Sequence, residues 1–310
     1  MNPVHRAIER VSAYFAERQS RQGLVARRLL GISRADDAKL AHHLLRERRA
    51  KQRADGSVGG DLVNTSWCLW EILDISEFGL APIGAGLGLD APAIQKPVKW
   101  LLGRQDKDGA YGVVPPSKRK KRKAAESDSI IGGFFAYRGS GRTIHKLTLP
   151  TGAGVVSDHG CRFLASCFAL RSVLRAGRER ETLVRRHIGS LLHIPKLWDT
   201  WGGQWNPALM VGALAAVAWS PLPFRAQLPI LAEHVALNQK PDGSWRNLDI
   251  AHTVDALVAV PLPQARESVA LAAPKLAKVQ QQNGAISTGT YAEERTLVAL
   301  RAWLIAREYA

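Results

Sequence analysis

An all-α fold of paired helices is predicted by three features of this 310-residue chain. A turn signature, Gln-x-x-Asp/Asn-Gly, occurs at Gln52, Gln105, Gln239 and Gln280. A helix signature, Thr/Ser-x-x-Ala/Cys-Leu, starts at Thr65, Ser166, Thr253 and Thr296. Turn glycines at 56, 109, about 154, 203, 243 and 284 recur at intervals of about 40 to 53 residues. Periods of this length mark arrays of one supersecondary unit. Here the unit is helix, glycine turn, helix. Alternating outer and inner helices joined by short loops predict an α/α toroid spanning residues 1–310 as one domain, its inner helices around a central cavity.

The chemistry of the signatures supports this reading. Asp-Gly and Asn-Gly pairs supply a position that tolerates positive φ, as the end of a helix requires. The Gln ahead of each pair can reach back to freed backbone groups at the turn. In the helix signature, a small residue beside a large apolar one lets neighbouring helices approach closely.

In chain order, residues 4–19 and 24–32 read as two helices joined at Gly23, which supply the sixth pair. Asp36 and Asp37, read as capping residues, open a basic outer helix running to Ala50. An apolar inner helix follows over 64–75, then a Gly/Pro-rich connector over 78–92 and a helix ending at Gln105. Residues 113–157 read as an inserted basic loop with the run Lys118, Arg119, Lys120, Lys121, Arg122 and Lys123, followed by a Gly/aromatic segment. A loop this long inside a compact array is functional or disordered. Inner helices are expected over 158–176, 206–219, 247–260 and 290–307, and outer helices over 180–194, 224–239 and 264–282.

Composition bounds the function. Hydrophobic content of 46% provides a large core and excludes global disorder. The apolar run over 208–219 is too short to cross a bilayer, so no transmembrane segment is expected. The charged first helix has no hydrophobic signal region, which makes the cytoplasm the default location. Cys68, Cys161 and Cys167 lack the paired spacing of a zinc ribbon or redox site and read as small core residues. A net charge of +16 favours anionic partners without choosing among them.

Gln239-x-x-Asp242-Gly243-Ser244-Trp245 resembles the QW motif of squalene and oxidosqualene cyclases, and Gln105-x-x-Asp108-Gly109-Ala110-Tyr111-Gly112 is similar to the version in protein prenyltransferase β subunits. The resemblance covers nearly the whole chain as repeats. It implies an (α/α)6 barrel whose apolar cavity accepts an isoprenoid or other apolar small molecule, with a diphosphate head as one option, for prenyl transfer or terpenoid cyclisation. The Asp-x-Asp-Asp motif of cyclases that protonate an alkene is absent. The resemblance further implies zinc bound by an Asp, a Cys and a distant His. Asp158, His159, Cys161 and His252 are the candidates here, although Cys161 stands five residues ahead of the matching Ser166.

Carboxylates near the front of inner helices, namely Asp61, Asp158, Asp249, Asp255 and Glu293, could hold Mg²⁺-diphosphate, donate protons, cap helices or meet an arginine. Asp255 is the sharpest case, because it interrupts an apolar stripe and needs a partner if buried. Asp158, His252 and Asp255 are therefore the candidate catalytic residues. Trp67, Trp70, Trp201 and Trp205 are candidate cavity-lining residues, whose faces could stabilise a carbocation. The six cations at 118–123 could clamp phosphate, touch anionic membrane or nucleic acid, or stay solvated. The competing function is a non-catalytic toroid scaffold whose basic surface binds a protein partner or nucleic acid.

Overall fold

The structure is a computed structural model that describes residues 3–79, 88–105, 111–113, 130–132, 146–192, 207–226 and 228–309. These residues are mostly helical: α1 (Pro3–Ala16), α2 (Arg21–Leu30), α3 (Asp37–Ala50), α4 (Leu62–Gly79), α5 (Pro92–Leu102), α6 (Asp158–Arg175), α7 (Thr182–Leu192), α8 (Pro207–Val217), α9 (Leu228–Leu237), α10 (Ile250–Val258), α11 (Pro263–Val279) and α12 (Ala292–Arg307). Two short antiparallel pairs accompany them, β1 (Tyr111–Val113) with β2 (Ile130–Gly132), and β3 (Leu147–Thr148) with β4 (Gly154–Val155). No helix among the described residues is long and apolar enough to cross a membrane.

The even-numbered helices contact one another in series. α2 packs on α4, α4 on α6, α6 on α8, α8 on α10, α10 on α12, and α12 returns to α2. The odd-numbered helices pack behind them, and the last of these, α11, meets α1. Composition follows this division. α8 sits between α6 and α10 and is apolar on every side, its residues from Leu209 to Val217 all buried.

The turn signature ties each odd helix to the next. Gln52 Nε2 donates to the Ala93 carbonyl at the start of α5 (2.9 Å), and Gln239 Nε2 to the Ser268 carbonyl in α11 (2.8 Å) and to Gly243 (3.1 Å). Gln280 Nε2 donates to Ala7 in α1 (3.1 Å) and to Gly284 (3.0 Å), and Gln105 faces His187 of α7. The turn residues Asp55, Asp242 and Asn283 each accept from a backbone N–H two residues on. Residues 106–110 of the Gln105 copy lie outside the described residues, and its Tyr111 and Gly112 stand in β1.

The helix signature has a matching role. The Thr65 hydroxyl accepts from Val58 N (2.9 Å) and that of Thr296 from Ile286 N (3.0 Å), pinning the segment after the turn to its helix. Ala169, Ala256 and Ala299, and the leucines that follow them, are buried at the helix contacts.

Three expectations need correction. Gly23 lies inside α2, which begins two residues earlier and is capped by the Ser20 hydroxyl accepting from Gly23 N (3.1 Å). Asp37 is an ion-pair residue rather than a cap. It accepts from the buried Arg27, whose Nη1 also donates to the carbonyls of Phe15 (2.9 Å) and Arg18 (2.8 Å). Asp36, in the N-cap place, makes no side-chain cap bond. Finally, the end of the expected insertion is built: residues 147–155 form a hairpin with Leu147, Leu149 and Val155 buried.

Candidate functional site

Five of the even helices and this hairpin enclose one slot. α4 contributes Trp67 and Trp70, and α6 contributes Leu164, Cys167, Phe168 and Arg171. The spacings of three and four place each set on one helix face. Gly212 and Ala215 of α8 let that helix come close, since a Cβ on Gly212 would lie 2.3 Å from the Leu164 side chain. His252 and Asp255 come from α10 and Glu294 from α12, while Leu149, Pro150 and Thr151 close one wall. The unfilled space between these walls, its open mouth included, is about 500 Å³. The slot is narrow, with little of that space deep between the walls.

The slot is set in a buried charge network. Arg21 of α2 is fully enclosed and pairs with Asp74 and Glu294, with Glu71 at 3.6 Å. Asp74 also holds Arg175 (2.7 Å), Glu71 holds Arg48 (2.6 Å), and Asp255 accepts from Arg171 Nη1 (2.7 Å). The guanidinium groups also lie over the indoles. Arg171 and Arg175 sit 4.2 and 4.1 Å from the Trp70 ring centre, and Arg21 lies 4.9 Å from that of Trp67. A buried charge is tolerated only with this kind of pairing.

Burial and pairing set the protonation states. Burial pushes the Asp74 carboxyl up, but Arg175 and Arg21 outweigh it and hold it at about 2. Asp255 is likewise raised by burial and pulled below the usual range by Arg171. Glu294 is the exception: its burial outweighs Arg21 and leaves the carboxyl above the ordinary value. Burial also lowers His252, so the imidazole is neutral near pH 7. Its Nε2 has no hydrogen-bond partner among the described residues. In the neutral ring an unpaired Nε2 is able to accept a proton.

Of the expected site residues, His252, Asp255, Trp67 and Trp70 meet at the slot. Asp255 has the partner its position demanded, in Arg171. Asp158 stands at the start of α6, accepts from Arg162 Nε (2.9 Å) and does not line the slot. Cys161 is buried and donates to the Val155 carbonyl (3.2 Å), so neither residue joins His252 there. Among the described residues, no three His, Cys, Asp or Glu side chains gather as a set for Zn²⁺ or Mg²⁺. The side chain of His159, Trp201, Trp205 and Lys118 through Lys123 lie outside the described residues.

Of the remaining carboxylates, Asp61 and Asp249 cap α4 and α10, accepting from Asn64 N (2.7 Å) and His252 N (3.0 Å). Glu293 faces outward to Arg18, and its neighbour Glu294 takes the inner place. Sequence reasoning missed Arg21, Glu71, Asp74, Arg171, Arg175 and Glu294. Charges interrupting the apolar runs of α4 and α6 were the available signal. Comparison with protein-family models and with curated proteins finds no match to the chain.

Proposed function

We propose that the chain is an (α/α)6 toroid of the terpenoid cyclase and protein prenyltransferase type, and that its central slot binds a short isoprenoid or similarly compact apolar molecule, with His252 as proton acceptor. Two features support the toroid. The series of even-helix contacts returns to its start, and the Gln280 side chain joins the last outer helix to the first. The observation that carries the functional reading is the bare Nε2 of a neutral histidine beside an aromatic wall, at a slot shared by five inner helices. A neutral imidazole with a free lone pair can take a proton from a nucleophile's O–H or N–H.

The lining favours prenyl transfer over cyclisation. A carbocation needs an unoccupied aromatic face, and guanidinium groups already occupy those of Trp67 and Trp70. Their positive charge would repel a second cation at the same place. In a transfer, by contrast, the acceptor's lone pair attacks the allylic carbon. The bond to the leaving diphosphate breaks with its electron pair, and the acceptor's proton moves to Nε2.

Tryptophan fluorescence and melting temperature, measured against five- and ten-carbon prenyl alcohols and diphosphates, test the reading. The expected result is saturable quenching with a raised melting temperature for the five-carbon compounds, and a changed response in His252→Ala. No response to any compound in the folded wild-type protein would overturn it.

A further inference from the structure

Among the buried side-chain polar atoms that make no hydrogen bond, three belong to residues lining the slot. They are Thr151 Oγ1, Arg171 Nε and His252 Nε2. Thr151 is 4% exposed, and Arg171 and His252 are 7% exposed, so bulk water does not satisfy them. Buried polar groups in folded proteins are overwhelmingly hydrogen-bonded, and three exceptions on the walls of one slot are what a ligand there could satisfy. Arg171 Nε can only donate, and Thr151 Oγ1 can donate, so these two suit an acceptor. His252 Nε2 can accept in the neutral ring, so it can meet a donor.

The charges around the slot point the same way. Glu71, Asp74, Asp255 and Glu294 are its carboxylates. Arg21, Arg48, Arg171 and Arg175 pair with them, and Arg301 lies within electrostatic reach of Asp74, Asp255 and Glu294. The neighbouring Asp249–Arg295 pair adds no net charge. Five guanidinium groups thus stand against four carboxylates, an excess of one positive charge. That excess matches one ligand negative charge and is half or less of what a diphosphate would carry.

We propose that the slot takes a small monocarboxylate bearing an adjacent hydroxyl or amine, its carboxylate on Arg171 and Thr151 and its O–H or N–H on His252. The narrow free space suits a compact body of this kind, lying against Trp67, Trp70 and Phe168. The proposal rests on the reading that the slot binds a small molecule, and in a prenyl transfer this ligand is the acceptor.

One five-carbon body carrying different heads separates the two claims. The probes are 2-hydroxy-3-methylbutanoate, 3-methylbutanoate, 3-methylbutan-1-ol and 3-methylbutyl diphosphate, titrated into the full-length protein by calorimetry alongside the prenyl alcohols. The hydroxy acid is expected to bind tightest, about 5- to 10-fold better than the plain acid, the gain of one neutral hydrogen bond. Thr151→Val is expected to weaken both acids about 10-fold and leave the alcohol unchanged. In His252→Ala the advantage of the hydroxy acid over the plain acid disappears. Tightest binding of the alcohol or the diphosphate would overturn the monocarboxylate assignment and leave the slot reading standing. If no compound binds, the prenyl alcohols included, the slot reading falls with it. Should a variant fail to fold, the order of the four heads on the wild-type protein decides alone.

Discussion

Arg21→Met is expected to destabilise the protein by about 3–5 kcal/mol, read as a lowered urea midpoint. Arg21 is fully enclosed and faces Asp74, Glu71 and Glu294. Methionine keeps the packing but removes the charge. Asp74 and Glu71 retain Arg175 and Arg48, so the cost falls chiefly on Glu294. Glu294→Gln added to Arg21→Met should therefore restore part of the loss.

The pH dependence follows from the directions of the shifts. Glu294 has a folded-state value above its unfolded one. Its favourable contribution is complete below the unfolded value and disappears as pH rises through the folded value. Without Arg21 that value rises further, so the variant should regain stability on acidification below neutral pH. Asp74 is depressed from 3.8 to about 2. Its contribution, about 2 kcal/mol by linkage in the wild type, is present above 3.8 and is lost as pH falls toward 2; without Arg21 the depression, and with it this contribution, is smaller. A loss under about 1 kcal/mol in Arg21→Met, with an unchanged pH profile, would mean that the network is not buried as described.

Gly243→Val is expected to cost about 3 kcal/mol or more. Its φ of 81° lies in the left-handed region, where a β-branched residue is strained by about 1–2 kcal/mol. A Cβ there would also lie 2.2 Å from the Leu271 carbonyl oxygen and 2.8 Å from the Ala272 Cα, both in α11. Backbone atoms of a packed helix cannot move aside cheaply. Gly31→Val provides the control, since φ is 71° but nothing stands within 4 Å of the added atom. It should show the conformational cost alone. Equal losses at the two positions would remove the case for close contact between the turn and α11. Gly56 and Gly284 meet Lys96 and Arg10 in the same way and should behave like Gly243.

These predictions draw on features of differing visibility in the sequence. The turns were legible because their chemistry is local. Asp242 holds the N–H two residues away, and Gly243 must have positive φ, so both leave a short motif. The Thr-x-x-small-Leu helices were legible for a similar reason, because the hydroxyl and the small side chain act within one turn of helix. The outward reach of the Gln side chain was only half visible: the bond from Gln239 to Gly243 is local, whereas that to Ser268 spans 29 residues.

The charge network could not be read in this way. Arg21 meets Glu294 across 273 residues, and α2, with three arginines among its ten residues, has the composition of a surface helix. Only its packing beside α4 and α12 sets it among the even-numbered helices that contact one another. Asp255 was singled out because it breaks an apolar stripe. Glu71 and Asp74 break the run from Leu69 to Ile75 in the same manner, and Arg171 and Arg175 recur four residues apart in α6. Applying the Asp255 argument to them would have found most of the network. Choosing Glu294 over Glu293 required the rotation of α12, a single-residue distinction that periodicity does not settle.

The enclosure of the slot depends on the meeting of α1 and α11. Arg6 of α1 and Lys278 of α11 line one surface groove and both are exposed, while the three native cysteines are buried. Spin labels on Arg6→Cys and Lys278→Cys report their separation by dipolar spectroscopy. The helix arrangement described here predicts a single narrow distribution at short distance. A broad or long distribution, as from helices at opposite ends of an open arc, would contradict it and leave the slot without its enclosing wall.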